Sequence, residues 1–147
     1  MRIEKIIIRN YKSIKLIELN CSPKINAFIG ENSVGKSNIF DAVNWSLGPV
    51  YPSFNSTLPQ DHFMGDRTNE ISITLHFDNG NRLQLAENWT DNRGNIKSGL
   101  NLSGGYITDV ERQRYSSAYL GVDRAILDYL PSNRWSLLGR ILLDINE

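Results

Sequence analysis

Two β-branched-rich runs stand near the start of the chain, Ile3 to Arg9 and Ile14 to Leu19, with the polar stretch NYKS between them. Two strands joined by a tight turn account for this pattern, so a hairpin opens the fold. The next run, KINAFIG, is nearly all apolar and ends in glycine, which predicts a short strand buried on both faces. From Lys36 the apolar residues Ile39, Phe40, Val43 and Leu47 recur at helical spacing, and Gly48-Pro49 supplies both cap and stop. Residues 49 to 69 carry Pro49, Pro52 and Pro59 among Ser, Thr and Asn and read as loop. EISITLHF then places Ile71, Ile73, Leu75 and Phe77 on one face and Ser72, Thr74 and His76 on the other. Asn79-Gly80 is a turn signal and RLQLAE alternates again, which predicts a second hairpin in an antiparallel layer. Residues 88 to 105, rich in Gly and Asn, read as loop or a loose third hairpin. Thr108 to Glu111 has capping-box spacing and predicts a short helix. AYLGV at 118 to 122 reads as another buried strand, and the stretch from Ser132 to Ile145 as an amphipathic helix.

Composition adds limits to this outline. With 147 residues, one domain is expected. Lys plus Arg and Asp plus Glu both number 16, so no net charge draws the chain to nucleic acid or to an anionic membrane. Any DNA contact then requires a local patch or sequence outside these residues. Cys21 is the single cysteine, which excludes an internal disulfide and fits a reducing compartment. The N-terminus has charges inside its apolar run, and no apolar stretch is long enough to span a bilayer, so a soluble, cytoplasmic protein without a membrane partner is expected.

The stretch from Gly30 to Asn38, GENSVGKSN, carries the chemistry. Gly30, Glu31, Asn32, Ser33, Val34, Gly35, Lys36 and Ser37 match G-x-x-x-x-G-K-[ST] at every fixed position. The glycines let successive backbone N–H groups curl around a phosphate, and the following helix turns its positive end to the same anion. Lys36 is placed to reach the β- and γ-phosphates and to act in catalysis, and the Ser37 hydroxyl to complete a magnesium shell. A strand before the motif and a helix after it form the context such a loop requires. The guanine-specifying N-K-x-D pattern is absent, so ATP with Mg2+ is the expected ligand.

RIEKIIIRNYKSI followed by INAFIGENSVGKSNIFDAV resembles the N-terminus of the RecF/SMC branch of ABC-type ATPases, and most closely the OLD family of ATP-dependent nucleases. Gly30, Asn32, Gly35, Lys36, Ser37 and Asn38 fit that family's phosphate loop. The resemblance implies that the turn from Arg9 to Ser13 lies beside the nucleotide, which makes Arg9 and Lys12 candidates for a phosphate or ribose contact; solvated turn charges are the alternative. SSAYLGVDRAI and SLLGRILLDI resemble a later part of the OLD pattern, although Gly121-Val122 stands before Arg124 where that family more often has Ile-Pro. The implied fold is α/β: the N-terminal lobe of an ABC-type head, with a mixed core sheet around the loop and an antiparallel β layer, as one partial ATP-binding domain over 1–147. In such proteins a second lobe and a TOPRIM nuclease domain follow, DNA is the partner, and ATP drives homodimerisation. A RecF- or SMC-like clamp without nuclease activity is the alternative, and a transporter subunit a third.

Two further stretches imitate catalytic motifs. Leu102-Ser103-Gly104-Gly105 spells most of the ABC signature LSGGQ, but Tyr106 replaces the glutamine and Gly-Gly between polar strands also makes a turn. RILLDINE imitates a Walker B strand, but Glu147 stands three residues beyond Asp144, and residues 135, 138, 141, 142 and 145 follow a helical period. The turn and the helix face are the favoured readings, which leaves the chain without an identified catalytic carboxylate, and ATP binding without turnover is expected. His62 and His76 lack metal-ligand spacing, and Gln60 and Gln113 read as exposed glutamines more than as magnesium contacts.

Overall fold

Alternation sets the architecture. A computed structural model describes residues 1–31 and 35–115 of the chain. In it β1 (Ile3–Tyr11) and β2 (Ile14–Asn20) form the opening hairpin. β3 (Ser72–Phe77), β4 (Arg82–Thr90), β5 (Ile96–Leu102) and the two-residue β6 (Gly105–Tyr106) complete a six-stranded sheet. The order is β2-β1-β3-β4-β5-β6. Every neighbouring pair is antiparallel. Register decides the core: Ile8 faces Ile73, Ile73 faces Leu85 and Leu85 faces Leu100, while Ile6 faces Leu75 and Leu75 faces Leu83. These residues share one face because side chains alternate along a strand, and all of them are buried. Removing each such side chain from water contributes about 1.5–3 kcal/mol.

Helix α1 (Lys36–Leu47) covers this face. Its buried stripe is Ile39, Ala42, Ser46 and Leu47, with Val43 partly buried. Phe40, expected in that stripe, instead points outward at 44% exposure and meets the edge of Phe28 at 5.3 Å. The Gly48 N–H donates to the Asn44 carbonyl at 2.6 Å and closes the helix, where the sequence places its stop.

KINAFIG departs from expectation more sharply. No strand forms there, and Ile25 and Ile29 are 84% and 96% exposed. A strand needs a partner's hydrogen-bond ladder, and among the described residues none runs beside this segment. The antiparallel layer is therefore the sheet that is present, and its central strands β1, β3 and β4 carry the core.

The third hairpin is well formed. β4 and β5 pair from Leu83↔Leu102 to Thr90↔Ile96, with a bulge between Ala86 and Trp89. At its tip the Asp91 carboxylate accepts the backbone N–H groups of Arg93 and Asn95, both at 2.9 Å. Helix α2 (Asp109–Gln113) begins at the Thr108 capping box that the sequence predicts. The segment between α1 and β3 contains three short 3-10 turns, Phe54–Ser56, Pro59–Asp61 and Phe63–Gly65. Among its ties to the opening hairpin, the Lys12 N–H donates to the Asp61 carbonyl at 2.8 Å, and Tyr11 bridges to His62. The expected strand at 118–122 and helix from 132, with Arg124, Asp144 and Glu147, lie outside the described residues, as do Asn32, Ser33 and Val34.

Candidate phosphate site

Gly35 occupies the cap position of α1 with φ 89° and ψ 10°, the left-handed region that glycine enters without a Cβ penalty. A side chain there would also collide with Ser13, whose Oγ is 2.8 Å from the position of a Cβ. The helix start has no side-chain cap and no acidic residue in its first turn. Its first N–H groups therefore point out of the helix as uncapped donors, and no carboxylate of the first turn offsets the positive end of the dipole. Lys36 folds its ammonium back over the loop, donating to the carbonyls of Gly30, at 2.5 Å, and Glu31. The ammonium thus ties the carbonyls of Gly30 and Glu31 to the helix N-terminus, and an anion arriving there meets both the ammonium and the backbone donors. Ser37 is exposed at the second helical position.

The β1–β2 turn lies against this helix and touches it twice. Asn38 Nδ2 donates to Ser13 Oγ at 2.8 Å. One helical turn on, Lys12 Nζ pairs with Asp41 Oδ2 at 2.9 Å and lies 5.2 Å from the centre of the Tyr11 ring. Burial opposes the Lys12 charge, but the hydrogen bond to Asp41 and the charges of Tyr11 and Asp41 outweigh it, so the ammonium sits above lysine's usual value. Burial pushes the Tyr11 phenol up, with Lys12 opposing. Lys12 is therefore tied to α1 through Asp41, with its side chain 32% exposed. Arg9 lies on the exposed face of β1, not in the turn, and its charge acts on Glu18.

A pocket of about 760 Å³ opens beside this turn, lined by Tyr11, Lys12, Asp41, Trp45, Tyr51 and Asp61 among others. Its rim is stiffened by Arg112 of α2, which donates to the carbonyls of Gly48, Pro49 and Val50 and covers the Tyr51 ring at 5.2 Å. Ser13, Asp41 and Arg112 belong to no motif in the sequence. Asp41 carried one signal, its place one helical turn beyond Asn38. Arg112 carried none, because its partners are backbone carbonyls distant in sequence.

The signature-like stretch is a turn. Ser103 and Gly104 have φ values of 50° and 84°, the mirror-image geometry that joins hairpin strands. Their N–H groups donate to the Arg82 carbonyl at 2.7 Å and to Asn101 Oδ1 at 3.2 Å, so these donors are spent inside the sheet. His62 is buried, with Nδ1 3.2 Å from the Asn69 carbonyl and Nε2 3.6 Å from Glu87. Among the described residues no group of three or more His, Cys, Asp or Glu is placed to hold a metal, and no helix is long and apolar enough to cross a membrane.

Known proteins resemble the chain in sequence and in fold. The sequence pattern of a family described as "AAA ATPase domain" matches residues 1–141. An OLD nuclease of Thermus scotoductus is 32% identical over 99% of this chain. A DNA double-strand break repair Rad50 ATPase of Thermococcus kodakarensis is 40% identical over 60% of the chain, and a DNA replication and repair protein RecF of Bacteroides fragilis 41% over 44%. The chain spans 31%, 10% and 19% of the lengths of these relatives. Among solved structures, one from work on ATP-driven dimerization and DNA-stimulated activation of SMC ATPases aligns with 99% of both chains at a TM-score of 0.56 and 21% identity. The SMC head domain from Thermotoga maritima covers 84% of this chain and 45% of its own at a TM-score of 0.50 and 23% identity. The fold is that of SMC ATPase heads, α/β with the antiparallel sheet as its described layer.

Proposed function

The chain belongs to the AAA ATPase domain family, and on that premise we propose that Gly30 to Asn38 bind ATP with Mg2+. The observation that carries this reading is the Lys36 ammonium held by the Gly30 and Glu31 carbonyls directly beside the start of α1, which has no side-chain cap. A triphosphate takes over the ammonium from the Gly30 and Glu31 carbonyls, and the first-turn N–H groups receive the phosphate oxygens. The metal supplies charge neutralisation between phosphate oxygens. Ser37, exposed at the second helical position, would offer it a protein oxygen.

The OLD-type reading, in which ATP regulates DNA cleavage, is favoured by an OLD nuclease relative that matches across 99% of this chain. Hydrolysis, DNA cleavage and nucleotide-dependent dimerisation then belong to a longer protein, of which residues 1–147 form one partial ATP-binding domain. A clamp without nuclease activity is the second reading, because the Rad50 and RecF relatives are 40% and 41% identical over shorter spans of the chain. Thermal unfolding tests the shared core of both readings. Mg-ATP at one hundred times its dissociation constant stabilises the folded chain by about 2.7 kcal/mol, a rise in Tm that Lys36→Ala abolishes. An unchanged Tm at saturating Mg-ATP would exclude nucleotide binding.

A further inference from the structure

We draw no further inference here: the strongest candidate, the cavity of about 760 Å³ between α1 and the segment that follows it, is lined by Tyr11, Lys12 and Asp41 and belongs to the site already described.

Discussion

At the residue scale, Gly35 and Lys12 show how local conformation builds the site. Gly35→Ala meets two costs, a left-handed φ of 89° and a 2.8 Å approach to Ser13 Oγ. Gly94, in a hairpin tip with φ 83° and open space around it, meets the first alone. Urea denaturation is expected to show a loss of about 1–2 kcal/mol for Gly94→Ala and a clearly larger loss for Gly35→Ala. Equal losses would show that Ser13 does not press on the loop. Lys12 adds a pH signature. A group whose folded value is raised holds its proton more tightly in the folded state, so its contribution is complete below the unfolded value and fades as pH rises through the folded one. Tyr11 is raised as well and acts in the same direction. Stability should therefore decline above about pH 10, and the decline should be shallower in Lys12→Met. A wild-type curve flat to pH 11 would contradict the buried arrangement of this pair.

Elements divide into those legible in the sequence and those that depend on distant partners. The two hairpins β1–β2 and β3–β4 and the helix from Lys36 to Leu47 were legible because period and turn residues act locally. KINAFIG was misread because an apolar run states only that burial is favourable, and a strand also requires a neighbour. Phe40 was misread because helical spacing marks a stripe wider than the one this sheet covers. The phosphate loop was legible as a motif, while Ser13, Asp41 and Arg112 became visible only when folding brought β1–β2 and α2 against α1. Substitutions test the division. Ile73→Ala, at a fully buried position, should cost about 2–5 kcal/mol, whereas Ile29→Ser, at 96% exposure, should stay within about 0.5 kcal/mol. A loss of several kcal/mol at Ile29 would show that the segment is a buried strand after all. Arg112→Ala releases three carbonyls after α1 and should cost roughly 1–3 kcal/mol. Lys at this position should not restore it, because a point charge cannot span the fan of acceptors. Full stability of Arg112→Lys would argue against that geometry.

For the whole molecule, the described residues bring the ends of the proposed phosphate loop, the helix start and the hairpin turn together on one sheet. The other stretch that imitates an ATPase motif within them, at Leu102 to Gly105, is committed to a hairpin turn, so its amides are not available to a phosphate. Binding and turnover are therefore separable, and binding is the property on which every other reading depends. Isothermal titration of Mg-ATP into the wild-type chain and into Lys36→Ala tests it most directly. Saturable binding at one site in the wild type, weakened at least tenfold by the substitution, is the predicted result. Equal affinity in the two proteins, or no binding heat in the wild type, would contradict it.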